Sequence, residues 1–212
     1  MSFKHLVIPA RAGSKGMPRK NIKLFDYTAS KIPTNLKDKV IVSTDDSQIE
    51  ALSETYGFNI FKRDASISDD TTDIRTTLKA TLSNRALKSS DLIIMLYLTY
   101  PEREFEDVER MYNDFINSQA KSMLCRQPVL SHPCLTMIVP PSGHPEPVIT
   151  HKFYQRQQYP ECFELSHYIC MFRYGELKKL NRNMYNNDTK YYSIDRVTDV
   201  DTPVDYDQLS HV

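Results

Sequence analysis

Short apolar runs alternate with longer amphipathic stretches through the first half of the chain. Residues 4–9 (KHLVIP), 39–44 (KVIVST) and 58–61 (FNIF) are apolar runs of strand length. DLIIMLYL at 91–98 is the most apolar stretch and predicts a strand buried on both faces. Between these runs, 46–57 predicts a helix: Asp46 or Ser47 caps it, Ile49, Leu52 and Tyr56 line one side, and Gly57 stops it. Residues 72–87 predict a second helix, with Ile74, Leu78 and Leu82 at helical spacing, and 104–118 a third. The alternation predicts an α/β fold, a mainly parallel sheet with helices on both faces. Ligands bind such sheets beyond the strand C-termini. The segments that follow residues 9, 44 and 98 should therefore gather along one edge.

The pattern lapses between 126 and 165. Pro128, Pro133, Pro140, Pro141, Pro145, Pro147 and Pro160 exclude a long helix there. This region reads as irregular strands and an extended arm within one domain spanning 1–212. It is either a contact for a second copy of the chain or a long surface loop. The crossover between Asn21 and Ser43 is short and carries Pro33, so that face is covered by a short helix or by a loop.

Composition narrows the function. Hydrophobic residues make up 40% of 212 residues, enough for a sizeable core. Lys plus Arg and Asp plus Glu balance at 27 each, which disfavours a nucleic-acid partner for the whole surface. No basic leader precedes a long apolar segment, and no run approaches the roughly 18 apolar residues of a membrane span. The expectation is a cytoplasmic protein with no membrane partner. Cys125, Cys134, Cys162 and Cys170 form no CxxC and read as reduced thiols. His5, His132, His144, His151, His167 and His211 show no metal spacing.

Against that neutral background stands IPARAGSKGMPRKN at 8–21. It holds two of the chain's 5 glycines, Gly13 and Gly16, with Arg11, Lys15, Arg19 and Lys20 around them, and no acid lies between Lys4 and Asp26. A small-residue loop leaving a strand lets backbone N–H groups approach a ligand, and the adjacent cations suit a di- or triphosphate. The stretch fits neither GxGxxG nor GxxxxGK[ST], so it is neither of those phosphate loops. On the residues alone, a basic surface turn remains the alternative.

The same stretch resembles the signature loop of the acylneuraminate (sialic acid type) cytidylyltransferases, matching at every fixed position. VIVSTDD (40–46), FKRDASISDDTTD (61–73), LYLTYPER (96–103), FYQRQQYPECFE (153–164) and DVDTPVDY (199–206) resemble further segments of that family, in its order. The resemblance spans nearly the whole chain. It implies a Rossmann-like three-layer nucleotidyltransferase fold with a small dimerisation arm at 126–165, and a homodimer. It further implies that CTP is coupled to the anomeric hydroxyl of a 2-keto acid sugar, with Mg²⁺, through in-line attack at the α-phosphate. Arg11, Lys15 and Lys20 would be catalytic. Ala10, Arg11, Ser14, Lys15, Lys20, Asn21 and Arg63 would hold the nucleotide. Tyr97, Thr99, Arg103, Arg156 and Gln157 fall at acceptor positions, the last two reaching toward the neighbouring subunit. Asp199 and Asp201 would hold the metal, and i, i+2 spacing in extended chain points both to one side. Asp195 is a rival ligand, because the family's Ser-Ile-Asp run is split here by Arg196-Val197-Thr198. Without the resemblance, this segment also reads as a solvated acidic tail, and Arg63 and Arg156 as solvated cations.

The departures cluster on the acceptor side. Tyr97 stands for the family's glutamine, Tyr100 for its serine, and Ser166-His167 for its Asn-Gly. The nucleotide side is intact. CTP use is therefore expected to be retained more readily than sialic acid use. Two rival readings follow: a cytidylyltransferase for another acceptor, such as an eight-carbon acid sugar or a non-sugar alcohol, and a binding relative without turnover.

Overall fold

The computed structural model describes residues 2–69 and 71–209. Asp70 of the 61–73 segment and His211 lie outside them. The chain runs β1 (His5–Pro9), α1 (Lys20–Ala29), β2 (Val40–Thr44), α2 (Ser47–Tyr56), β3 (Asn59–Lys62), α3 (Ile74–Leu82), β4 (Leu92–Met95) and α4 (Phe105–Asn117). It continues through β5 (Ser122–Pro128), a small hairpin of β6 (Met137–Ile138) and β7 (Glu146–Pro147), β8 (Phe163–Arg173), β9 (Lys190–Ser193) and α5 (Pro203–Gln208).

Seven strands form one sheet in the order β3-β2-β1-β4-β8-β5-β9. The first four in that row are parallel, β8 is antiparallel to both its neighbours, and β9 is parallel to β5. Period-two alternation divides the side chains between the faces. Leu6, Ile8, Val40, Val42, Leu92 and Ile94 pack on one side with Leu24 and Phe25 of α1, Ile49 of α2 and Val108, Met111 and Phe115 of α4. Val7, Ile41, Ile93 and Met95 pack on the other with Leu78 and Leu82 of α3 and with Leu177, Leu180 and Met184. The result is the expected three-layer α/β architecture.

The short first crossover is helical. Lys20 and Asn21, the last residues of the glycine-containing stretch, are already the first turn of α1, and a 3₁₀ turn at Thr34–Lys39 follows Pro33. Phe25 packs at a tilt against Tyr56 and Phe58 at ring separations of 5.9 and 6.4 Å, so aromatic bulk covers this face in few turns.

Three boundaries differ from the sequence expectation. The helix expected over 72–87 begins after Asp73, whose side chain accepts from the Arg75 N–H, and ends at Leu82. Arg85 and Ala86 then fall where the apolar stripe should continue, so nothing draws the helix onward. The strand expected over 91–98 ends at Met95, although Leu96 and Leu98 remain buried. Beyond Met95 the partner strand bulges away. Leu124 of β5 pairs with Cys170 of β8, but the next residue, Cys125, pairs with Ser166, leaving His167, Tyr168 and Ile169 as a bulge. Finally, Arg126 pairs with Leu165 and Pro128 with Phe163 inside the main sheet, so the protruding segment is shorter than 126–165. It carries Leu130, Leu135, Met137, Ile138, Val139, Val148 and Ile149 exposed.

Candidate active site

The loop after β1 is fastened at several points. The Ala10 N–H donates to the Ser43 carbonyl at 2.9 Å, and Ala10 itself is wholly buried. The Ala12 N–H donates to Asp45 Oδ1 at 2.7 Å. Gly13 takes a φ of +71°, a conformation that costs glycine little. Met17 is 1% exposed and plugs the loop into the core. Asn21 Nδ2 donates to the Arg11 carbonyl at 2.8 Å, tying the first turn of α1 back to the start of the loop. The loop is thereby held open with Arg11, Ser14, Lys15 and Lys20 along one cleft.

The opposite wall comes from the other end of the chain. The Val200 N–H donates to the Thr99 carbonyl at 2.8 Å, and Val200 is fully buried. With that side chain pinned inward, Asp199 and Asp201 face the cleft. Lys20 Nζ reaches Asp201 Oδ1 at 2.7 Å. Asp199 Oδ2 accepts from the Tyr100 hydroxyl at 2.9 Å. Desolvation in the cleft raises the Asp199 pKa above the usual carboxylate value, with the charge of Asp201 adding to the effect. Bonds from Thr99 and Tyr100, and the charge of Lys20, oppose it.

Arg63 closes the cleft beyond β3. Its N–H donates to the Thr44 carbonyl at 2.8 Å and its Nε to Ser43 Oγ at 3.0 Å. Burial pulls its guanidinium down to about 10, partly offset by the charge of Asp45. Its Nη2 is buried without a hydrogen-bond partner. A buried guanidinium nitrogen left unsatisfied is costly, and a ligand acceptor in the cleft would relieve it.

The cleft has a volume of about 600 Å³. It brings together Arg11, Ser14, Lys15, Lys20, Asn21, Arg63, Tyr97, Thr99, Asp199 and Asp201 of the residues expected from sequence. Tyr100 and His167 join them. Tyr97 and His167 meet edge to face at 5.9 Å, and His167 is anchored through Nε2 to the Asn183 carbonyl at 3.0 Å. Asp195 does not line the cleft. Ala10 supports the loop from below rather than lining it.

Arg103, expected on the acceptor side, does not line the cleft. Arg103 is 4% exposed and lies beneath the cleft floor, where it donates to the Tyr168 carbonyl at 2.6 Å, the Tyr97 carbonyl at 2.9 Å and Thr28 Oγ1 at 3.2 Å. The Tyr168 ring lies over its guanidinium at 5.7 Å. Its positive charge is spent on the Tyr168 carbonyl of the β8 bulge, the Tyr97 carbonyl beyond β4 and the Thr28 hydroxyl. Arg156 and Gln157 sit in a 3₁₀ turn of the arm, and Arg156 lines a separate hollow of about 440 Å³ rather than the cleft.

Sequence reasoning did not assign Ile67, Asp69, Thr72, Ile74 and Thr77 to the site, and they form a further part of its wall. The signal was the polar run SISDDTTD, in which Asp69 Oδ1 accepts from the hydroxyls of Thr71 and Thr72. Among the described residues no cluster of three or more His, Cys, Asp or Glu side chains could hold a metal unaided. The four cysteines are free.

A phosphate-sized cationic loop, an acidic pair across from it and a cleft at the C-terminal edge of parallel strands define a nucleotidyltransferase of the α/β class. The chain belongs to the cytidylyltransferase family, whose model matches residues 5–168. It is 26% identical over 212 residues to the post-translational flagellin modification protein B of Campylobacter coli, covering 94% of this chain and 90% of that one. It is 32% identical over 127 residues to a pseudaminic acid cytidylyltransferase of Campylobacter jejuni, covering 54% of each chain. It is 25% identical over 216 residues to a CMP-N,N'-diacetyllegionaminic acid synthase of Legionella pneumophila, covering 94% and 91%. Its fold matches a CMP:2-keto-3-deoxy-manno-octonic acid synthetase solved with CTP, at a TM-score of 0.71 over 99% of this chain and 98% of that one, with 16% identity.

Proposed function

We propose that the chain transfers a cytidylyl group from CTP to the anomeric hydroxyl of a 2-keto acid sugar, releasing pyrophosphate. One observation carries the reading: the cationic loop at 11–20 and the acidic pair Asp199 and Asp201 share one cleft, joined by the 2.7 Å contact between Lys20 and Asp201. Two relatives matched along nearly the full chain are named CMP-N,N'-diacetyllegionaminic acid synthases, which supports an acid acceptor.

The chemistry follows from the charges. As the acceptor oxygen attacks the α-phosphorus in line, negative charge builds on the departing pyrophosphate. Arg11, Lys15 and Lys20 offset that charge at fixed positions, with no reorganisation at the moment of reaction. Ser14 and the loop N–H groups orient phosphate oxygens. Arg63 offers its unpartnered Nη2 to the nucleotide. Tyr97, Thr99 and His167 form the floor on the acceptor side.

Asp199 and Asp201 suit Mg²⁺. Burial and the charge of Asp201 raise the proton affinity of Asp199, an effect that a divalent cation would relieve, and Mg²⁺ is commonly held by one or two carboxylates plus substrate phosphates. When bound, the ion would supply positive charge that offsets the charge developing on the leaving pyrophosphate.

We further infer a homodimer that works in the cytoplasm. The arm exposes Met137, Ile138 and Val139 at 51, 56 and 67%, an apolar strip that a second copy would cover. Arg156 would then have a route to the neighbour's cleft. Sedimentation of Ile138→Asp against the parent chain tests this, and a monomeric parent would end it.

The principal test incubates the protein with CTP, Mg²⁺ and a panel of acid sugars, and follows pyrophosphate. Release with one sugar supports the transferase. CTP binding without release from any sugar supports a binding protein instead.

A further inference from the structure

The residue that departs from the family at position 100 makes a contact that a serine could not. Tyr100 is 5% exposed, and its hydroxyl donates to Asp199 Oδ2 at 2.9 Å. Ser166 and the His167 N–H lie against the same hydroxyl from the β8 side. The ring is held edge-on to Tyr168 at 5.6 Å. Tyr168 is fixed in turn by its own hydroxyl, which donates to Asp107 Oδ2 at 2.5 Å, and by Arg103 beneath it. Tyr100 therefore has little rotational freedom, and a rigid donor fixes the carboxylate it bonds.

We propose that Tyr100 is a positioning residue: it fixes the Asp199 carboxylate in the orientation that receives the divalent cation accompanying the nucleotide. The proposal rests on the magnesium reading above. The hydroxyl occupies one Asp199 oxygen and locks the plane of the group, so the carboxylate does not have to be ordered when the cation arrives. Hydrogen-bond partners of metal-binding carboxylates commonly govern metal affinity by about 10- to 100-fold. The contact also explains how Tyr100 and Ser166, both departures from the family, belong together. The bulge in β8 delivers Ser166 and His167 to the phenol, and the phenol delivers order to Asp199.

The test measures CTP affinity by calorimetry with and without Mn²⁺, for the parent protein and for Tyr100→Phe. The phenylalanine keeps the ring and its packing and removes only the hydroxyl. The expected result is a loss of about tenfold in the Mn²⁺-dependent gain in CTP affinity, with metal-free CTP affinity unchanged within about twofold. In an Asp199→Asn background, Tyr100→Phe should have no further effect, because the two act as one unit. Tyr168→Phe, which keeps the edge-on ring but frees it from Asp107, should lose less of the Mn²⁺-dependent gain than Tyr100→Phe. An equal gain in Tyr100→Phe and parent overturns the proposal, as does a further loss in the Asp199→Asn background. If the parent binds CTP but gains nothing from Mn²⁺, the metal assignment falls and takes the proposal with it. If the parent does not bind CTP, the nucleotide reading itself fails.

Discussion

The carbonyl oxygen of Asp201 lies 2.5 Å from the point where a Cβ on residue 16 would sit. Gly16 is thus the place where the N-terminal loop and the C-terminal acidic segment pass backbone against backbone. A Cβ there must displace a main-chain carbonyl, and moving it shifts the Asp201 carboxylate that meets Lys20.

Gly16→Ala is expected to lower turnover by 100-fold or more, on the order of magnitude set by an ångström of misplacement. The stability cost should be modest, about 1–3 kcal/mol, as for an overpacked contact. Parallel measurement of kcat/KM and thermal unfolding checks both. Unchanged kinetics would mean that the two segments need not touch for function.

Lys20→Ala and Asp201→Asn divide the same contact chemically. The side chain of Asp201 is 69% exposed, so the ion pair itself contributes only about 0–1 kcal/mol to folding. Both variants should therefore melt close to the parent temperature. Turnover should fall by orders of magnitude in each if, as proposed, Lys20 faces the phosphates and Asp201 the metal. Asp201→Asn with ordinary turnover would remove Asp201 from the metal site.

Much of this site was legible in the sequence because its parts are local. The loop at 8–21 carries its own glycines and cations, and Asp199 and Asp201 declare their shared direction by spacing. β1, β2 and β4 were legible from apolar runs that the fold buries, and β3 from a short run that lies half-exposed at the sheet edge. β8 was not. It is antiparallel, it follows a proline-rich segment, and its alternation is broken by the three-residue bulge at His167, Tyr168 and Ile169. That bulge decides where Arg103 points. Its i−6 partner Tyr97 and its distant partner Tyr168 supply carbonyls that no local pattern announces, so a motif arginine that looked like a ligand contact became a buried support. The Tyr100–Asp199 contact spans 99 positions and was equally invisible.

Arg103 accordingly yields a prediction opposite to that for a substrate-binding arginine. Arg103→Ala should destabilise the fold by roughly 2–5 kcal/mol, since it opens a cavity and strands the Tyr168 and Tyr97 carbonyls. Lysine cannot reproduce three divergent hydrogen bonds, so Arg103→Lys should recover little of that loss. Denaturant unfolding measures the cost. An Arg103→Ala protein with parental stability and a raised acceptor KM would return Arg103 to the acceptor pocket.

Asp107 gives the pH dependence of this support. Burial alone would raise its pKa, but bonds from Tyr168, Arg110 and the Glu104 N–H outweigh it and hold the group below the usual carboxylate value. A carboxylate depressed in the folded state binds fewer protons there than in the unfolded chain. Its stabilisation is therefore complete above the unfolded value of about 4, and it is lost as pH falls through the folded value. Asp107→Asn should cost about 1–3 kcal/mol near neutrality, the loss of charge-assisted hydrogen bonds in a half-buried place. The gap between parent and variant should then narrow as pH is lowered from about 5 toward 3, because the parent protonates the group that the variant lacks. Urea unfolding of both proteins across that range reads the gap directly. A gap that stays constant would show that the charge of Asp107 contributes nothing, and that Tyr168 is held by shape alone.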